Sequence, residues 1–269
     1  MRAMKLRLSQ ILFSQGFGTR RLCAGLIYNE EVKVGGELVD DPDAQFETDG
    51  LQFEVSGKTW PFFDKALILL NKPAGYECSQ KPKHHPSVLS LLPGPLRERG
   101  VQPIGRLDED TTGLLLLTDD GTLIHKLTSP KHHVPKVYEA TCKHPVTPEM
   151  VEKLLAGVEL REPDDKPGQE APGRPKLPGA PSGGLPQSGR SGGSTYTEFT
   201  KAEGAEAFGT HGIRLTLIEG KYHQVKRMIA AIGNRCESLH RPSFGALKLP
   251  ETLKPGEWTW VGSPAEVTG

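Results

Sequence analysis

Close cysteine pairs, long apolar runs and an excess of either charge are all missing from this chain. Its four cysteines (Cys23, Cys78, Cys142, Cys236) are widely separated and form no C-x-x-C pair. That spacing argues against a disulfide framework or a zinc ribbon and fits free thiols in a reducing cytosol. Uninterrupted aliphatic runs such as Ala66 to Leu70 and Leu114 to Leu117 are far short of the roughly 20 residues a bilayer-spanning helix needs. The N-terminus mixes charged and apolar residues too finely for a signal peptide. These absences lead us to expect a soluble cytoplasmic protein with no membrane partner. No G-K-[ST] follows the glycines of residues 162–194 and no H-E-x-x-H occurs, so a phosphate-binding P-loop there and a zincin helix are set aside.

Lys and Arg number 33, as do Asp and Glu, so the net charge is zero. Distribution says more than the sum. Met1 to Asn29 carry Arg2, Lys5, Arg7, Arg20 and Arg21 without an acid. Gly121 to Tyr138 carry Lys126, Lys131 and Lys136 with three histidines, and Gly220 to Cys236 carry Lys221, Lys226, Arg227 and Arg235, again acid-free. One such window is ordinary solvated surface. Three together point to a basic face and a nucleic-acid partner.

Leu6, Leu8, Ile11 and Leu12 recur at helical spacing up to Gly16-Phe17-Gly18. Thr19 suits the N-cap of a second helix whose apolar stripe is Leu22, Cys23, Leu26 and Ile27. "VKVGGELV" reads as a hairpin turning at Gly35-Gly36. Residues 1–57 therefore form a small helix-helix-hairpin unit, and 58–65 read as a linker. From 66 to 269, buried and mixed strands alternate irregularly with short helices. One helix starts at Thr147-Pro148 and stops at Gly157. The fold class is α+β, with a central, mostly antiparallel sheet flanked by helices. Nearly half of residues 162–194 are Gly or Pro, which predicts a disordered insertion. In "KYHQVKRMIAAIGN" the stripe Val225, Met228, Ile229 and Ile232 defines a helix. At 100° per residue, Lys226 falls on the shoulder of that stripe and Arg227 on the outer face.

"PIGRLDEDTTGLLLLTDDG" sets Asp108, Glu109 and Asp110 before four leucines. Positions 1, 3, 5, 6 and 12 of a calcium loop align with Asp108, Asp110, Thr112, Gly113 and Asp119. However, Thr and Asp stand at the fifth and twelfth positions, and "GLLLLT" reads as a buried strand. A two-carboxylate glycosidase needs acids facing each other, which sequence neighbours do not. One carboxylate acting alone beside an apolar pocket is what remains.

"GRLDEDTTGLLLLTDDG" resembles the catalytic motif of pseudouridine synthases, in the branch that modifies ribosomal RNA and carries an N-terminal S4 module. "LNKPAGYECS", "HPSV", "HKLTSPKHHVPKVYEA" and "LIEGKYHQVKRMIAAIGN" are similar in the same order, and the first 50 or so residues resemble the S4 module. The resemblance implies isomerisation of a ribosomal RNA uridine, small-subunit RNA foremost, with no cofactor and no metal. The partner it implies is ribosomal RNA or a pre-ribosomal particle, met by a monomer. Asp108 would be the nucleophile or base, Tyr138 would stack on the base, and Lys226 would pair with the carboxylate. Arg106 would fill the gap left by the flipped uridine. Leu107, His223, Gln224 and Arg227 would contact substrate or shape its pocket. Arg20, Arg21 and Lys33 would face RNA, and Glu109, Asp110 and Thr111 would serve as turn and capping residues. Two alternatives stay open: the same reaction on large-subunit RNA, and an inactive S4-bearing assembly factor.

Overall fold

The computed structural model describes residues 4–160 and 198–269. The proposed insertion at 162–194 lies outside the described residues. The chain opens with β1 (Lys5–Arg7), α1 (Leu8–Ser14), α2 (Arg20–Tyr28), β2 (Val32–Val34), β3 (Glu37–Leu38), β4 (Gln45–Glu47), β5 (Gln52–Val55) and β6 (Lys58–Pro61). Thr19 caps α2 by accepting from the Leu22 amide, and β2 and β3 pair across the Gly35-Gly36 turn.

Three expectations change here. Leu6 is not helical: it pairs with Phe46 across β1 and β4, so a strand precedes the helix. Leu22 is 60% exposed, whereas Cys23 and Ile27 are buried. Cys23 and Ile27, with the partly buried Leu26, face the packed side of α2. The supposed linker begins with β6, which pairs with β5 through a two-residue turn at Ser56-Gly57. Both turn residues have positive φ, 48° and 80°, the geometry that matches the twist of a tight hairpin. Trp60 on β6 is buried and packs edge-on against Phe17, with centroids 5.4 Å apart.

The second part comprises β7 (Leu67–Lys72), α3 (Gly94–Glu98), β8 (Gln102–Pro103), β9 (Thr112–Thr118), α4 (Gly121–Thr128), β10 (Lys136–Cys142), α5 (Pro148–Ala156) and β11 (Val158–Leu160). After the undescribed residues come β12 (Glu198–Thr200), β13 (Gly204–Phe208), β14 (Gly212–Leu217), α6 (Gln224–Ala231), β15 (Cys236–Phe244), β16 (Leu247–Lys248), β17 (Trp258–Trp260) and α7 (Ala265–Thr268). The large sheet runs β13-β14-β10-β15-β9-β7-β17. Its one parallel pair is β9 with β15, so the mostly antiparallel α+β reading holds.

The four leucines of β9 show how the site is anchored. Side chains alternate across a strand. Leu115 and Leu117 join Ile68 and Leu70 in one core, and Leu114 and Leu116 join Leu67 and Leu69 in the other. Both faces of β9 are therefore dry, which explains an unbroken apolar run where a half-exposed strand would alternate. The first of these cores also contains Leu8, Ile11, Leu12 and Ile27, so the N-terminal helices and the sheet share it. Arg99, its side chain 2% exposed, adds a polar tie. Its Nε donates to Asp119 at 2.9 Å, Nη2 to the Phe63 and Asp64 carbonyls, and Nη1 to Gln15 at the end of α1.

Gly113 opens β9 with φ of +105°, and a Cβ there would meet the Arg241 carbonyl oxygen at 2.4 Å and its nitrogen at 2.8 Å. The parallel crossing of β9 and β15 thus requires glycine. Gly113→Ala should lower the melting temperature by at least about 4 °C, a cost of 1–2 kcal/mol in a chain of this size. Gly121→Ala, where φ is ordinary and a Cβ meets nothing, should change it by less than about 1 °C. Paired calorimetric scans check the contrast.

Candidate functional site

Residues 105–111 form the loop that enters β9. They are held from beneath by a lysine at the end of β7. Lys72 is fully buried. Its Nζ donates to the carbonyls of Pro73 at 3.0 Å, Glu109 at 2.9 Å and Thr111 at 2.8 Å. Burial lowers the pKa of Lys72, while Cys78 and the carboxylates of Glu109, Asp110 and Asp108 act in the opposite direction. The Gly75 amide donates to the Glu109 carbonyl, the Leu107 amide to Cys78 Sγ, and the Thr111 amide to the Asp108 carbonyl. The loop is therefore tied to Lys72 of β7 and to Gly75 and Cys78 in the segment that follows it.

The loop lifts Asp108 to the rim of a cavity of about 370 Å³, which Arg106, Leu107, Tyr138 and His223 also border. The Asp108 side chain is 27% exposed. Two basic groups reach it from α6 and the residue before it: Lys226 Nζ at 3.4 Å from Oδ2 and His223 Nε2 at 3.3 Å from Oδ1. His223 takes the left-handed conformation, φ +48°, and its ring stacks on Tyr222 with centroids 3.9 Å apart.

Lys226 belongs to two carboxylates. Its Nζ donates to Asp110 at 2.6 and 2.8 Å, closer than to Asp108. Burial alone would lower its pKa, but the Asp110 hydrogen bond and the Asp108 charge raise it above the usual lysine value. Burial likewise opposes ionisation of Asp110, yet Lys226 holds that carboxyl below its ordinary range. Asp110 is thus more than a turn residue. It fixes the ammonium beside Asp108 and keeps it charged. Thr111 is 1% exposed, and its hydroxyl has no partner.

The helical wheel is right for Lys226 and wrong for Arg227. The Arg227 side chain is only 16% exposed. It donates to the Tyr222 carbonyl at 3.2 Å and lies 3.8 Å from Glu198. Glu198 of β12 and Tyr222 of the turn before α6 lie over that helix face, which periodicity alone does not register. Gln224 is buried, with its amide nitrogen on Thr200 and Glu219 and its oxygen on the Lys221 amide. It braces the cavity wall through contacts within the protein. Arg106 is exposed at the mouth and Leu107 is buried beneath it. In the N-terminal unit Arg20 and Arg21 are exposed, whereas Lys33 is engaged by Glu54 at 3.4 Å. Among the described residues no cluster of three or more His, Cys, Asp or Glu could hold a metal ion. No helix among them is long and apolar enough to cross a membrane.

Sequence reasoning missed Lys72, because a lysine ending an apolar run reads as the solvated end of a strand. It also missed Glu77, which accepts from the amides of Lys83, His84 and His85 and so curls a basic loop back on itself. Those three donors lower the Glu77 pKa to about 2. A carboxyl depressed in the folded state keeps its contribution above its unfolded pKa and loses it as pH falls through the folded value. The amide resonances of 83–85 should therefore stay fixed as pH drops through 4.5 and move only on approach to about 2. A two-dimensional NMR titration reads this directly, and movement centred near 4.5 would show the carboxylate to be free.

Comparison with known proteins places this geometry. A family model described as RNA pseudouridylate synthase matches residues 66–231. The ribosomal small subunit pseudouridine synthase A of Salmonella typhimurium is 39% identical over 260 residues, covering 94% of this chain and 95% of that protein. The protein of the same name from Yersinia pestis is 34% identical over 263 residues, covering 94% and 93%. A solved pseudouridylate synthase structure superposes with a TM-score of 0.59 at 31% identity, covering 97% of this chain and 98% of its own.

Proposed function

The chain belongs to the RNA pseudouridylate synthase family, and on that premise we propose that it isomerises a uridine of small-subunit ribosomal RNA, with Asp108 assisting the bond exchange. The observation that carries the reading is the Asp108 carboxylate, set on the cavity rim between Lys226 and His223. Tyr138 borders the same space. The relatives from Salmonella typhimurium and Yersinia pestis carry small-subunit names, and this supports the choice of RNA.

The cavity dictates the order of events. A base inside a helix cannot reach Asp108, so the uridine must leave its stack. Arg106, exposed at the mouth, is placed to occupy the gap. Tyr138 lies against the ring. Asp108 assists cleavage of the C1′–N1 bond. The ring turns, C5 rejoins C1′, the C5 proton is lost and N1 gains one. Lys226 stays beside the carboxylate throughout. Atoms balance without hydrolysis and without an added cofactor. Arg20 and Arg21 supply phosphate contacts at the N-terminal unit. The protein acts as a cytoplasmic monomer on ribosomal RNA or a pre-ribosomal particle.

The first test maps pseudouridine in ribosomal RNA from cells with and without the protein. One small-subunit position should disappear; loss of a large-subunit position would reassign the substrate. With purified protein, Asp108→Asn should lose turnover below detection while retaining RNA affinity. Lys226→Met should slow single turnover at least about tenfold, because it removes the cation 3.4 Å from the Asp108 carboxylate. Normal rates in either variant overturn the assignment.

A second test addresses RNA grip. Deleting the N-terminal unit would strip the shared core, so point changes are the cleaner tool. Arg20→Ala with Arg21→Ala should weaken binding and flatten the slope of log affinity against log salt by about 1–2, as each lost phosphate contact releases one counterion fewer. An unchanged slope would move the RNA contact elsewhere.

A further inference from the structure

Two buried cations border the cavity. Arg241, on β15, is 1% exposed. Its Nε donates to the Leu114 carbonyl at 2.8 Å and Nη1 to the Tyr138 hydroxyl at 3.4 Å. Nη2 is buried with no partner. Lys136, on β10, is 8% exposed, and its Nζ donates to the Val134 carbonyl at 2.8 Å. Both stand over the Phe244 ring, at 5.3 Å and 5.1 Å from its centroid, and both line the cavity that Asp108 and Tyr138 share. Among the described residues neither forms an ion pair with a carboxylate. Burial, with a smaller push from Arg241, brings the Lys136 pKa down to about 8.

Two like charges in a dry wall are costly without a counterpart, and an unpaired buried donor adds to that cost. The pair offers only donors: an ammonium and a guanidinium have no acceptor atom. A ligand that completes this wall must present acceptors and benefit from positive charge.

We propose that Arg241 and Lys136 receive the carbonyl oxygens of the flipped uracil, selecting uridine over cytidine and stabilising the ring while it is detached. This rests on the function proposed above and names how that site reads its base. When C1′–N1 breaks, the bonding pair leaves with N1, and the ring becomes an anion whose charge spreads to O2 and O4. Fixed cations at those oxygens stabilise that state more than the neutral base, which is where binding accelerates a reaction. C5 then bonds to C1′, its proton departs, and the ring is neutral again. Cytosine places a donor amine where uracil has O4. Against a donor-only wall it would leave polar groups unpaired on both sides, the situation that gives strong discrimination. A phosphate suits the wall less well. It stays with the sugar outside, whereas Arg241 and Lys136 are almost wholly enclosed.

The test crosses enzyme variants with single-atom changes in the substrate. Wild-type, Arg241→Met and Lys136→Met proteins are each given RNA with uridine, 2-thiouridine or 4-thiouridine at the target, and single-turnover rates are measured. Sulfur is the weaker acceptor. Each variant should slow the uridine reaction at least about tenfold, in line with a hydrogen bond to a charged group. One thio substitution should slow wild-type about tenfold but a variant by less than about threefold, because the contact is already gone. Equal thio effects in wild-type and both variants would overturn the proposal and leave the cations as structural groups. If Arg241→Met fails to fold, having lost the Leu114 and Tyr138 contacts, the Lys136→Met arm decides alone. Wild-type turnover on uridine RNA is the separate control: its absence would refute the proposed function, whereas its presence with uncoupled thio effects would refute only this inference.

Discussion

One buried ammonium organises the candidate site. Lys72 replaces its lost hydration with three carbonyls, two of them from the loop that carries Asp108. Removing the charge from water is costly, and the carbonyls offset that cost only if the loop keeps its shape. The constraint runs both ways: the loop needs a donor for its inward-facing carbonyls, and the lysine needs the loop. Asp108 then emerges at the rim of the cavity, within reach of Lys226 on α6 and His223 before it.

A second constraint comes from the opposite side. The parallel crossing of β9 and β15 brings the Arg241 backbone against Gly113, just where the Asp108 loop becomes strand. One contact therefore sets the loop against β15 and places the Arg241 guanidinium beside Tyr138. Three such junctions, at β7, at β15 and at the start of α6, position groups at or beside the cavity. Each fixes a different chemical group: carboxylate, guanidinium and ammonium.

Much of this was legible in the residues. Caps and stops located α2, α5 and α6, and the leucine run announced a strand buried on both faces. Asp108, Tyr138 and Lys226 came from motif resemblance rather than from periodicity. What escaped detection was whatever depends on chain segments distant in sequence. Lys72 and Arg241 look like ordinary surface cations until the sheet closes over them. The closer partner of Lys226 is Asp110, which as a loop acid reads as turn chemistry. Arg227 was assigned to an open face because a helical wheel does not know that Glu198 and Tyr222 lie over it.

The tie between Arg99, Gln15, Asp119 and the Phe63-Asp64 backbone has a consequence for target choice. With the N-terminal helices and β9 packed into one core, the stretch from the exposed Arg20 and Arg21 to Asp108 behaves as a caliper of set span. In the proposed function, an RNA held at one jaw would offer the other jaw only those nucleotides that lie at that span in its folded shape. Address is then measured in ångströms along a three-dimensional RNA rather than in letters along its strand.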